Sequence, residues 1–213
     1  MIKSGEETIQ DVSIKSRLID AGKTMFAERG YAGASVRDIC KAADASATMI
    51  HHYFGSKEGL FNAIIEEFTS TTFDVPLRLI AKPPKTAEEF QLRLEMFISE
   101  TFRALLSQAP VFRILVRENK GFVGMSRFHE NFASYLNAAQ RSGFLSAELK
   151  TEMITGLVLD RLGNQVMYAA TSQNDQPNVL NDEGYAEEWL AANVTVLLYG
   201  LAGGTPARVT PSE

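Results

Sequence analysis

The side chains best suited to directed polar contact lie in one stretch, Asp44 to Leu60 (DASATMIHHYFGSKEGL). Two of the chain's three histidines, His51 and His52, are adjacent there, and Thr48 precedes them by one helical turn. Paired histidines suggest metal binding. Neighbours on a helix, however, point about 100° apart, and neither imidazole has a Cys, Asp or Glu three or four residues further on to complete a site. No metal site and no cofactor are therefore expected. Imidazoles and a hydroxyl on one helix face suit a different task, as donors and acceptors that reach base edges and phosphate oxygens in a groove. At about 100° per residue, Ala47, Thr48, His51 and His52 fall on one side and Met49, Ile50, Tyr53 and Phe54 on the other. One side packs and the other is free to touch a partner. No Asp or Glu occurs from Ala45 to Ser56, in a chain of 213 residues whose formal charge is −5, and that local gap in negative charge suits a phosphate-rich partner.

Such a face has to be held by neighbouring elements, and the preceding residues supply them. In Ser35 to Ala43 (SVRDICKAA) a Ser is followed three residues later by Asp38, the capping pattern that satisfies free amides at a helix start. Val36, Ile39, Cys40 and Ala43 follow the i, i+3, i+4, i+7 rule and give a short helix with one buried face. Asp44, Ala45 and Ser46 are turn formers that hydrogen-bond their own backbone. Two short helices joined by three or four residues form the arrangement that lays its second helix in the DNA major groove. From about Asp11 to Arg29, Ile14, Leu18, Ala21, Met25 and Phe26 make the stripe of a first helix, which Gly30 closes. Ser56 and Glu58 open the helix that follows, with Leu60, Phe61, Ile64, Ile65 and Phe68 as its apolar face and Pro76 as its end or kink.

From about Ile14 to Phe68 the chain resembles the DNA-binding end of the TetR family of bacterial transcriptional regulators. AGKTMFAERGYAGASVRDICKAADASATMIHHYFGSKEGLF carries the family's first-helix ending (Phe-x-x-x-Gly-Tyr), its helix-turn-helix and its Tyr-Phe-x-x-Lys-x-x-Leu close, in order and with the right spacing. His51 stands where the family usually has Tyr, and Ala47 where Lys, Pro or Arg is frequent. The resemblance implies DNA contacts from Ser35, Arg37, Ser46, Ala47, Thr48, His51, His52, Tyr53 and Lys57, with Lys57 beside the phosphate backbone. It also implies a palindromic double-stranded DNA operator, a homodimer built on the last two long helices, and a small-molecule effector of unknown identity.

The charge balance opposes nucleic-acid binding at first sight, because residues 1 to 68 hold eight Lys and Arg against ten acids and a basic footprint is the usual mark of such a domain. Distribution answers it: Arg37, Lys41, His51, His52 and Lys57 cluster near the proposed groove, whereas Asp20, Glu28, Glu66 and Glu67 sit on helices that need not face DNA. Few phosphate contacts and a shallow salt dependence are the consequence. No run approaches the ~20 apolar residues of a membrane span and the start lacks an apolar leader core, so a cytoplasmic protein with no membrane partner is expected. The single Cys40 excludes a disulfide framework and reads as a small core residue.

Beyond residue 85 only helical patterns occur, over Thr86 to Leu106, Pro110 to Arg117, Ser126 to Arg141, Glu148 to Thr171 and Glu183 to Leu201. The expectation is an all-α fold of about nine helices, with a helix-turn-helix DNA-binding domain over residues 1–55, a larger ligand-binding and dimerisation domain over 56–202, and a disordered tail over 203–213. The last helix carries two apolar stripes, Trp189, Ala192, Val196, Tyr199 and Leu190, Val194, Leu197, Leu201, so one side can meet its own core and the other a second copy. Met153, Leu157, Gly163, Trp189, Val196 and Tyr199 are the expected interface. For an effector pocket the candidates are Phe97, Phe102, Phe112, Phe122, Met125, Phe128, His129, Phe132, Arg161, Asn164, Met167 and Tyr168, although most aromatic and Met side chains of a helical domain are simply core. An enzyme is not expected, since phosphate loop, nucleophile elbow and metal-binding spacing are all missing. A helical protein–protein adaptor without DNA binding is the alternative.

Overall fold

The computed structural model describes residues 3–118, 125–172 and 175–201, and these contain ten helices and no strand. In chain order they are α1 (Lys3–Gly33), α2 (Val36–Ala42), α3 (Ala47–Phe54), α4 (Lys57–Thr71), α5 (Asp74–Leu79), α6 (Ala87–Ser107), α7 (Ala109–Arg117), α8 (Ser126–Arg141), α9 (Thr151–Thr171) and α10 (Glu183–Leu201). The helix beyond the nine expected is α5. Pro76 does not end or kink α4, which stops at Thr71, but sits in the first turn of α5, where its missing N–H has no helical acceptor to lose. At the other end, α1 begins at Lys3 rather than near Asp11 and is broken at Gly30 (φ 74, ψ 170). Phe122 and the tail over 203–213 lie outside the described residues.

Packing divides the chain into two units. The first takes the chain to Thr72 together with the segment that starts at Gln108, and the second takes Phe73–Ser107 and the chain from Met125. The division expected at residue 55 thus falls inside the first unit, because α4 buries Leu60, Phe61, Ile64 and Phe68 against α1 and α3. The core of this unit gathers Leu18, Phe26, Ile39, Ile50, Leu60 and Ile64. Phe26, Tyr31 and Phe61 form an aromatic triangle with centroid separations of 5.7, 5.5 and 5.2 Å. Helix α7 packs along α1 and α4, and its Phe112 meets Phe68 edge to face at 5.5 Å.

The second unit contains α5, α6, α8, α9 and α10. Helix α6 opens with a capping pattern in which the Thr86 hydroxyl accepts from the Glu89 amide (3.1 Å) and the Glu89 carboxylate accepts from the Lys85 amide (2.7 Å), satisfying donors that a helix start leaves unpaired. Its inward face places Phe97 against Phe132 (4.4 Å) and Phe128 (5.6 Å), and Phe128 stacks on Phe73 (4.2 Å). Leu190, Val194 and Leu197 of α10 are buried, in line with one of the two stripes.

Candidate nucleic-acid interface

Helix α2 starts from Ser35, whose hydroxyl accepts from the Asp38 amide (3.1 Å) and donates to the Asp38 carboxylate (2.8 Å). Arg29 pairs with the same carboxylate at 3.2 Å. The end of α2 is closed by a pair of reversed bonds, Ala45 N–H to the Cys40 carbonyl (2.9 Å) and Asp44 N–H to the Lys41 carbonyl (3.4 Å), with Asp44 in the left-handed region (φ 49). Such a terminus needs one residue with positive φ, and Asp is among the few side chains that tolerate it. The Arg17 guanidinium donates to the Asp44 carbonyl (3.3 Å). Beneath the turn Cys40 is buried, and burial pushes its thiol up.

The turn delivers the chain into α3, where Ile50 is 2% exposed while Ala47, Thr48, His51 and His52 are all exposed; Met49, Tyr53 and Phe54 are half-buried. The side chains that could read a groove therefore share the outer face, and the residue opposite them anchors the helix. His51 is tied back through Nδ1 to the Gly55 carbonyl. The ring of His52 rests edge-on against Tyr53 at 4.9 Å. Ser46 caps α3 without a side-chain bond, and Arg37 and Lys41 are exposed on α2.

Lys57 is placed differently from the expectation. It is half-buried, and its ammonium donates to the Tyr31 carbonyl (2.8 Å) and the Ala34 carbonyl (3.1 Å) while lying 4.3 Å from the centre of the Tyr31 ring. At least two of its three N–H donors thus hold the link between α1 and α2, so the residue is a strut of the fold before it is anything else. Gly59, which no local signal singles out, touches the end of α3: a Cβ there would stand 1.8 Å from the Phe54 carbonyl oxygen.

A sequence profile described as "Bacterial regulatory proteins, tetR family" matches residues 18–64, the stretch from mid-α1 to mid-α4. The HTH-type transcriptional regulator UidR of Escherichia coli (strain K12) is 28% identical over 153 residues, covering 68% of this chain and 76% of UidR. The HTH-type transcriptional repressor KstR2 of Rhodococcus jostii (strain RHA1) is 29% identical over 139 residues, covering 64% and 65%. Among solved structures, the ketosteroid transcriptional regulator KstR2 of Mycobacterium tuberculosis superposes with a TM-score of 0.64 at 20% identity, covering 88% of this chain and 94% of that one. Residues 18–64 thus carry a DNA-binding module of the TetR type. The relatives it matches are helix-turn-helix transcriptional regulators, and no helix among the described residues is long and apolar enough to cross a membrane.

The residues expected to serve the second unit fall into distinct environments. Phe97, Phe102, Phe128 and Phe132 are core, at most 4% exposed, and the stacked rings of Phe97, Phe128 and Phe132 fill one another's space. Phe112 belongs to the first unit, where it meets Phe68. Met125 is buried, Met167 is half-buried, and half-buried His129 bonds through Nδ1 to the Met125 carbonyl (2.9 Å). Tyr168 is 63% exposed and so does not line an interior pocket. Arg161 and Asn164 lie with Leu157, Asp160, Gln165 and Trp189 around an open groove of about 460 Å³ on the surface of α9 and α10. The Arg161 guanidinium lies 5.7 Å from the Trp189 ring and donates to Asn193, which explains how a polar group interrupts an otherwise apolar helix.

The expected interface residues also separate. Met153, Leu157, Val196 and Tyr199 are 70, 60, 72 and 54% exposed. Gly163 is buried, and half-buried Trp189 stacks on Phe102 at 4.8 Å, so both take part in the unit's own packing. Four large apolar side chains remain turned outward, as does Tyr168, three turns beyond Leu157 on α9.

Proposed function

We propose that this chain is a TetR-family repressor that binds a palindromic DNA operator as a homodimer and is released by a small-molecule effector. The observation that carries the reading is the two-sidedness of α3: Thr48, His51 and His52 face outward while Ile50 is sealed behind them. Ser35, Arg37, Ser46, Ala47 and Tyr53 border that face and contribute backbone contacts. Because α3 itself holds no Lys or Arg, base-edge hydrogen bonding supplies more of the discrimination and phosphate neutralisation less than in a strongly basic reader. A palindromic site follows from two-fold symmetry, with half-sites about 34 Å apart. The outward Met153, Leu157, Val196 and Tyr199 support pairing of two copies through α9 and α10, since apolar side chains of that size gain by leaving water. The effector favours a dimer whose two reading helices no longer match successive major grooves, which requires that it bind one state more tightly than the other. The regulator works in the cytoplasm, where its operator lies.

A footprint on DNA upstream of the protein's own gene, followed by anisotropy titrations with Thr48→Ala and His52→Ala, tests the reading. A protected palindrome whose affinity falls in both variants supports it. No footprint, with partner capture by α3 instead, sinks it in favour of a helical adaptor.

A further inference from the structure

The break in α1 is held from outside by the end of α7. At Gly30 the backbone leaves the helical region, stranding acceptors before the break and donors after it. The Arg117 guanidinium donates to the Glu28 carbonyl (2.6 Å), and the Glu118 carboxylate accepts from the Tyr31 amide (2.7 Å). One residue pair thus caps both sides of the discontinuity. Gly30 is required by its positive φ, and a Cβ there, 2.8 Å from Arg117 Nε and 3.2 Å from Glu118 Oε1, would displace those two side chains. On the other side of the same segment, Lys57 at the start of α4 binds the Tyr31 and Ala34 carbonyls, and the next residue, Ser35, caps α2. The link Gly30–Ser35, which sets the angle at which α2 and α3 leave α1, is therefore fixed between a clamp from α7 and a strut from α4.

We propose that Arg117 and Glu118 are positioning residues for operator binding, setting the pose of the reading helix by fixing the break at Gly30 without touching DNA. The inference rests on the operator-binding reading above. Losing the pose costs base contacts, which need groove-fitted geometry, but spares non-specific phosphate attraction, which does not. Full-length Glu118→Ala and Arg117→Met should each bind the footprinted operator about tenfold more weakly, the equivalent of one charge-assisted hydrogen bond. Affinity for a random duplex should stay within about twofold and helical content should not change. Glu118→Gln, which keeps an acceptor in reach of the Tyr31 amide, should recover most of the loss, and the Tyr31 amide should exchange faster with deuterium in Glu118→Ala than in Glu118→Gln. If Glu118→Ala fails to fold, Arg117→Met decides on the same affinity ratio. Wild-type operator affinity in the folded variants, or equal losses on operator and random duplex, would overturn the proposal. Absence of any operator for the wild-type chain would instead sink the reading on which it rests.

Discussion

Lys57, Thr48 and His52 lie within one short stretch, yet they answer to different forces. Lys57 trades water for two carbonyls and an aromatic face, and hydrogen bonds to a charged donor are worth about 1.5–3 kcal/mol. Lys57→Ala should accordingly lower the melting temperature by about 5 °C, read by circular dichroism, from a net loss of about 2 kcal/mol. The exposed Thr48 and His52 make no comparable contact. Alanine there should leave the melting temperature within about 1 °C while weakening operator binding about five- to tenfold, the lower end of what a base contact contributes. Tyr135 shows a third case. Burial raises its phenol to about 12, with Glu89 adding to the rise and Arg93 opposing it, and its hydroxyl has no hydrogen-bond partner among the described residues. Unfolded, the phenol would ionise near pH ~10. The folded chain therefore keeps a proton that the unfolded chain releases: stability is undiminished below pH ~10 and declines as pH rises from there toward 12. Tyr135→Phe should remove that part of the alkaline decline and leave neutral-pH melting unchanged or slightly higher.

At the scale of the elements, the reading helix is set by its junctions more than by its own composition. Helix α3 spans eight residues, Ala47–Phe54, too few to be stable alone. It is fixed at the front by the positive-φ turn at Asp44 and at the back by the approach of Gly59 to the Phe54 carbonyl. A methyl at Gly59 cannot be accommodated without moving α3 from α4, so Gly59→Ala should destabilise the first unit by about 1–3 kcal/mol. It should also depress operator affinity beyond the stability loss, because the surviving fold carries a displaced reader. Urea melts paired with anisotropy titrations separate the two effects. The capping of α2 was legible from Ser35 and Asp38 alone, since a cap is a local pattern. The contact of Gly59 was not, because it arises only when α3 and α4 fold back on each other.

For the whole molecule, the question is what covers Met153, Leu157, Val196 and Tyr199, which stand more than half exposed. If a second copy does, a charge in the middle of that face must break the pair, since an unpaired buried ion costs several kcal/mol. Leu157→Glu and Val196→Glu should each run as a monomer in sedimentation equilibrium at concentrations where the parent is a dimer. They should lose operator affinity by orders of magnitude while keeping the helical spectrum, because a lone reading head spans one half-site. A parent chain that sediments as a monomer would refute the assignment.

Period and punctuation along the chain determined the all-α class, the helix-turn-helix and the outward set Thr48, His51 and His52, because helical spacing decides which side chains share a face and caps decide where helices start. The stripe of α10 that became core, Leu190, Val194 and Leu197, was readable in the same way, as was the outward Val196 and Tyr199. Tertiary structure decided what those rules leave open. It assigned α4, α7 and Phe112 to the first unit, buried Gly163, stacked Trp189 on Phe102, and placed Tyr168 and Arg161 on the surface. It also gave Lys57 to two carbonyls and Glu118 to the Tyr31 amide, 87 residues away in the chain. Those pairings depend on which helices meet, and periodicity within one helix carries no record of the neighbour it will meet.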